Sequence, residues 1–243
     1  MKTSTITTLS GYQKVLENAP IYMSRGVSDS KYKLIPKVAR DWHLPLDLLK
    51  LHEEWMLSDF KIRATPFLDT VPVNDWEWLA IAQHYGLPTR LLDWTLNPLV
   101  SLYFACKENE LSDGVVYLGE CLDEFKTNDI TSPFDVTETR KWSSHYINAR
   151  LASQDGLFTL SENPLKEHTL GVLCKIIIKA QAKKSLLSTL SNFGVHSATV
   201  FPGLEGVAHY VKDRHKAFYG KDASTIIHSH ETYEKMVKEY KEG

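Results

Sequence analysis

The sequence predicts an α+β fold, a single compact domain with a mixed sheet flanked by helices. Stretches with helically spaced apolar residues and short β-branched runs follow one another without a regular βαβ alternation. Residues 10–220 contain no internal period, low-complexity tract or Gly/Ser linker. The 243 residues, 43% hydrophobic, are enough for one substantial core. Residues 1–220 are therefore expected to form the domain, with residues 221–243, ending in "HETYEKMVKEYKEG", as a peripheral charged helix.

The elements follow from local pattern. "TTLSGYQKVLENA" places Leu9, Tyr12, Val15 and Leu16 on one helical stripe, and Pro20 stops it. "IYMSRG" reads as a short strand. Residues 45–62 carry Leu48, Leu49, His52, Trp55, Met56 and Phe60 at helical spacing, with Pro45 near the first turn. "NDWEWLAIAQHYG" reads as a helix capped by Asn74 or Asp75 and ended by Gly86. After a loop, "LPTRLLDWTLNP", Pro98 opens an apolar helix, "PLVSLYFACKENEL". "DGVVYLGE" and "GVLCKIIIKA" read as strands, and residues 121–148 as an irregular surface excursion. "KKSLLSTLSNFGV" reads as a helix closed near Gly194, "ATVFP" as a short strand, and "LEGVAHYVKDRHKAF" as a helix.

Composition removes several function classes. Lys and Arg number 28 against 30 for Asp and Glu, so no global field draws nucleic acid or an anionic membrane. Cys106, Cys121 and Cys174 are widely spaced and form no CxxC, which argues against a disulfide framework or structural zinc and for a reducing, cytoplasmic location. The start, "MKTSTITTLSGYQKVL", lacks a signal-peptide pattern, and no apolar run reaches the roughly 18 residues a membrane span requires. Absent too are HExxH, a His/Cys cluster, GxGxxG, GxxxxGK[ST] and GxSxG, so no metal, Rossmann, P-loop or nucleophile-elbow site is expected.

The candidate residues cluster in "HYGLPTRLLDWT", polar groups inside an apolar neighbourhood where burial demands pairing. Arg25 beside Gly26 suits phosphate: guanidinium binds it bidentately, and glycine permits close backbone approach. The structural alternative pairs Arg25 with Asp29 or Asp93. Arg90 and Asp93 can form a buried ion pair that shapes the loop, which makes Asp93 scaffolding and leaves Arg90 a mixed role. His84 sits at a helix C-terminus, where the dipole favours its protonated form. Thr95 can cap the helix at Pro98 or touch a ligand. Arg150 and Gln154, four apart, share one face if "HYINARLASQ" is helical. Glu205 falls in the first turn of a helix, where the dipole favours a carboxylate whatever else it does.

"YMSRGVSDSKYKLIPKVAR" and "LAIAQHYGLPTRLLDWTLNPLVSLYFAC" resemble the FRG domain, named for an aromatic-Arg-Gly signature that here reads "SRG", with Ser24 at the aromatic position. "NARLASQDGLFTL" resembles the family's Arg-x-x-x-Gln-x-Gly-x-Phe segment at Arg150, Gln154, Gly156 and Phe158, and "VFPGLEGVAHYV" its closing Phe-Pro segment. A second resemblance is to mono-ADP-ribosyltransferases of the arginine-serine-glutamate type: Arg25 stands on an early strand, Thr95 in the hydroxyl position before "NPLVSLYFA", and Glu205 as a late acid. Together these resemblances imply an ADP-ribosyltransferase-like fold and an NAD-dependent ADP-ribosyltransferase or NAD glycohydrolase in a toxin or anti-phage defence setting. NAD is then the substrate with no metal, and Arg25 and Glu205 are catalytic. His84, Arg90, Thr95, Arg150 and Gln154 bind the dinucleotide. The implied partners are a macromolecular acceptor, protein or nucleic acid, and a regulatory protein, with no membrane. The rival reading is a non-catalytic module that binds a phosphorylated metabolite or nucleic acid through Arg25 and Arg150. Nuclease activity ranks last for want of acidic metal ligands.

Overall fold

A computed structural model describes residues 2–19, 22–120, 122–125, 132–144, 149–216 and 223–242. By their contacts these fall into two units, Met1–His196 and Ser197–Gly243.

The first unit is a mixed α/β fold built on one sheet. Its strands are β1 (Lys2–Ile6), β2 (Met23–Val27), β3 (Leu92–Thr95), β4 (Gly114–Gly119), β5 (Arg140–Trp142), β6 (Gly156–Leu160) and β7 (Val172–Ile178). They lie in the order β1-β7-β4-β2-β3-β6-β5, with β1 parallel to β7 and every other pair antiparallel. The helices of this unit are α1 (Leu9–Leu16), α2 (Leu46–Ala64), α3 (Asp75–His84), α4 (Pro98–Cys106), α5 (Ala149–Ser153) and α6 (Ala180–Asn192). The second unit contains α7 (Ser197–Val200), α8 (Leu204–His215) and α9 (Ala223–Glu242). Among the described residues no helix is long and apolar enough to cross a membrane.

The helix boundaries follow capping chemistry. The Asn74 side chain accepts from the Glu77 N–H at 3.0 Å, so Asn74 and not Asp75 caps α3. Past its end Gly86 adopts φ +96°, a left-handed conformation that suits glycine. Pro98 opens α4, and the Asn97 side chain accepts from the Leu99 N–H at 3.0 Å. Cys106 and Cys174 are buried free thiols, and burial pushes the Cys106 thiol up to about 12, leaving it protonated and inert. Cys121 lies outside the described residues.

Several segments depart from the sequence reading. Residues 2–6 form an edge strand, although "KTSTI" has no apolar alternation; Lys2, Thr3 and Thr5 are exposed where an apolar strand would invite aggregation. The expected loop through Thr95 contains β3, whose Leu92 and Trp94 are buried while Asp93 is exposed. Four residues are too few for periodicity to register between Pro88 and Pro98. Likewise β5 lies within the expected irregular excursion, and β6 follows α5. "ATVFP", read as a strand from its β-branched residues, begins in α7, closed by a Phe201 N–H to Ser197 carbonyl bond of 2.9 Å. β propensity without a neighbouring ladder does not hold a strand.

Two features of β2 set up the site. It pairs with β4 along its whole length but with β3 at Ser24↔Thr95 alone, so the sheet is unzipped from Arg25 onward. Gly26 explains how α4 packs there: a Cβ at this position would lie 1.8 Å from the Ser101 carbonyl oxygen. The glycine admits a helix, where sequence reasoning assigned it to an approaching phosphate.

Gly26→Ala should therefore destabilise the first unit by about 2 kcal/mol or more, since the clashing atom is backbone. Gly86→Ala, with no atom within 4 Å of the added methyl, should cost only about 1 kcal/mol from its positive φ. Chemical denaturation of the two variants checks the contrast.

Candidate functional site

Where β2 and β3 part, side chains replace the missing ladder. By register Arg25 shares a sheet face with Tyr117, while Asp93 lies on the face opposite Leu92 and Trp94. The Arg25 guanidinium crosses the seam and donates from Nη1 to the Asp93 backbone carbonyl at 2.5 Å. A longer contact of 3.4 Å joins Nη1 to the Asp93 carboxylate. The Arg25 side chain is 14% exposed and that of Asp93 60%. Burial works against the Arg25 charge and Asp93 supports it. Arg25 Nε is buried without an acceptor among the described residues.

The seam opens into a cavity of about 290 Å³. Its cationic groups are Arg25 from β2, and Lys37 and Arg40 from the segment after it; the imidazole of His84, at the end of α3, also lines it. Lys37 Nζ donates to the Gly86 carbonyl at 3.0 Å and Arg40 Nε to the Ile35 carbonyl at 3.2 Å. The first bond ties the "KLIPKVAR" segment to the wall and the second folds that segment on itself, and both groups keep N–H donors. Trp94, Phe104 and Phe158 supply aromatic surface, and Gln83, Thr95 and Gln154 further polar groups. Asp93 is the one carboxylate among the described lining residues. Lys37, Arg40 and Arg25 against one carboxylate give the cavity a cationic lining of a kind suited to an anion, with aromatic walls beside it.

Asp93 is held from a second side. Gln83 Nε2 donates to Asp93 Oδ1 at 2.5 Å, and the Thr89 hydroxyl donates to Gln83 Oε1. Thr89 Oγ1 in turn accepts from the Leu91 N–H at 3.2 Å, so its own proton is committed to Gln83. The chain Thr89, Gln83, Asp93 thus runs in one direction.

Of the residues expected to gather, Arg25, His84, Thr95 and Gln154 line the same cavity. Arg90 does not, and this is a correction. Its guanidinium is 3% exposed, donates from Nη2 and Nε to Glu53 at 2.7 and 3.1 Å, and lies over the Phe134 ring at 4.9 Å. The sequence offered Asp93 as its partner, but strand alternation turns Asp93 away, and Glu53 arrives from α2, 37 residues upstream. Arg90 is a strut that fixes α2 against the segment leading into β3. The Thr95 hydroxyl donates to the Gln154 carbonyl at 2.5 Å and accepts from the Asn97 N–H at 2.9 Å, closing the turn between β3 and α4 onto the turn before β6. Arg150 belongs to α5. Glu205 opens α8 in the second unit, its side chain exposed.

Lys37, Arg40 and Gln83 escaped the sequence reading, although Lys37 and Arg40 fall within "KLIPKVAR" of the quoted motif. Also missed was His168, which packs edge-on to Trp94 at 5.7 Å with Nε2 buried and unpartnered among the described residues. Burial, reinforced by the Arg25 charge, pushes its pKa from 6.5 down to about 4, so the ring is neutral at pH 7. Among the described residues no group of three or more His, Cys, Asp or Glu could hold a metal ion.

Set against known proteins, residues 20–114 match the family model of the FRG domain. That span covers the Arg-Gly strand and the whole of "LAIAQHYGLPTRLLDWTLNPLVSLYFAC"; the stretches at 148–160 and 200–211 lie beyond it. No curated protein and no solved structure matches the chain.

Two expectations follow. Arg90→Met leaves Glu53 buried without its cation and should cost about 3 to 5 kcal/mol, much of it recovered in the double variant with Glu53→Met. Denaturant midpoints of the three proteins read this directly. For His168 the folded pKa is depressed, so its contribution is fully present above 6.5 and is lost as pH falls toward about 4. The full loss is about 3 kcal/mol at most. Stability measured at pH 7.5 and pH 4.5 should differ less in His168→Phe than in wild type.

Proposed function

We propose, for a chain that carries an FRG domain at residues 20–114, that the cavity at the β2–β3 seam binds NAD through its phosphates. On this reading the protein transfers ADP-ribose to a macromolecular acceptor, protein or nucleic acid, or hydrolyses NAD. The observation that carries the reading is the convergence of Arg25, Lys37 and Arg40 on one aromatic-walled cavity. Guanidinium and ammonium donors meet the pyrophosphate charge with strong, charge-assisted hydrogen bonds. A volume of about 290 Å³ sits at the lower end for ligand pockets, which fits a ribose-phosphate portion with the rest of the dinucleotide lying across the opening. The juxtaposition of Ser24 and Thr95 as register partners also brings together the Arg-bearing and hydroxyl-bearing elements of the transferase pattern on adjacent strands.

In the reaction the nicotinamide leaves with the electron pair of its bond to ribose C1′. The acceptor, or water, supplies a lone pair to C1′ and loses a proton. Positive charge develops on the ribose, and a carboxylate beside it is worth about 3 to 4 kcal/mol, or two to three orders of magnitude in rate. A second reading, binding without turnover, is favoured by the Thr95 hydroxyl, which is spent on the Gln154 carbonyl and the Asn97 N–H and is not directed at a ligand.

Nicotinamide release from NAD, with and without cell extract, separates the two. Wild type is expected to release it, and dependence on extract indicates an acceptor. Arg40→Ala should weaken NAD binding about tenfold or more with an unchanged melting temperature, as one charge-assisted bond is removed. NAD binding without release supports the module; no NAD binding removes the transferase and glycohydrolase reading and leaves a module for another phosphorylated ligand.

A further inference from the structure

We infer that Asp93 is the group in this cavity that reads the sugar: its carboxylate accepts hydrogen bonds from the cis-diol of a phosphorylated ribose, and Gln83 and Thr89 hold it in place to do so. The inference rests on the reading of the cavity as a phosphate site and adds the class of ligand, a ribonucleotide with free 2′ and 3′ hydroxyls.

A carboxylate in a cavity meant for an anion needs a reason. The Asp93 carboxylate is not needed to bridge the seam, because Arg25 bridges it through the Asp93 backbone carbonyl at 2.5 Å and meets the carboxylate only at 3.4 Å. Nor is it a buried strut like Glu53, since its side chain is 60% exposed and lines the cavity. Yet it is positioned as carefully as a buried group. Gln83 Nε2 holds Oδ1, and the orientation of that amide is fixed by the Thr89 hydroxyl, which occupies Gln83 Oε1. An ionised carboxylate offers about four acceptor positions, so a single donor on each oxygen leaves room for two more. Neighbouring acceptors with no proton of their own match two adjacent hydroxyl donors. Phosphate is repelled from Asp93 and drawn to Lys37, Arg40 and the free N–H groups of Arg25, so the cavity sorts the two halves of a ribose phosphate by charge. The same arrangement makes Asp93 the binding group and Gln83 a positioning residue that acts through it.

The test is calorimetric binding of two probes, ADP-ribose and inorganic pyrophosphate, to wild type, Asp93→Asn and Gln83→Leu. Asp93→Asn should weaken ADP-ribose tenfold or more and leave pyrophosphate unchanged or tighter, because one negative charge has gone. Gln83→Leu should show the same selective loss at smaller size. Equal weakening of both probes by Asp93→Asn makes the residue structural and overturns the inference, while the phosphate reading stands. Wild type that binds neither probe overturns both. Should either variant fail to fold, wild type alone decides: it should prefer ADP to 2′,3′-dideoxy-ADP by tenfold or more, and equal affinity sinks the proposal.

Discussion

The site depends on one side chain crossing an open seam. β2 and β3 are neighbours in the sheet yet share a single register pair, and the backbone groups beyond it have lost their ladder partners. An exposed or half-buried gap of this kind is costly unless its polar groups are satisfied. Arg25 satisfies the Asp93 carbonyl and spans the gap without closing it. On the other flank β2 cannot slide or tilt, because it pairs with β4 over its length and because α4 rests on the bare Gly26 backbone. The result is a rigid opening in the middle of a sheet, a feature that most sheets avoid.

Buried charge is spent around this opening in two different ways. Arg90 and Glu53 are both nearly inaccessible and answer each other, fixing the approach of α2 and the segment before β3. Lys183, 1% exposed, is enclosed by the carbonyls of Ser28, Glu108 and Asn109 at 2.6, 3.0 and 3.0 Å, which ties α6 to the loops leaving β2 and α4. Both are complete within the fold and present nothing to a ligand. Arg25 differs: its Nε has no acceptor among the described residues, its charge is only loosely matched, and it borders a cavity with two further cations. Incomplete pairing beside a cavity makes Arg25 the candidate for ligand binding, where Arg90 is a strut.

Much of this was legible in the sequence, and the failures have physical causes. The helices α1 to α4 and the long strands β4 and β7 followed from periodicity, caps and proline placement. The short strands did not, because β3, β5 and β1 are set by ladder partners far away in the chain and carry too few residues to show alternation. At the site, His84 and Thr95 were found because polar residues stood out in an apolar run, and Arg25 because it stands beside Gly26 in an early strand. Arg90 was misassigned for the same reason: a sequence shows that a polar residue is buried, but not whether its partner waits 37 residues away in Glu53. Lys37 and Arg40 were overlooked because lone basic residues in a loop are usually solvated, and only the fold of "KLIPKVAR" against Gly86 brings them to the cavity. Lys183 was hidden by the same limit, since the carbonyls that enclose it lie at Ser28, Glu108 and Asn109.

The most direct measurement of the central claim is a crystal structure of the protein grown with ADP-ribose. The expected result is a pyrophosphate against Lys37, Arg40 and Arg25, with a ribose diol on the Asp93 carboxylate and the β2–β3 seam as open as it is here. Ligand bound elsewhere, or a seam that zips shut with Arg25 turned away, would contradict the account.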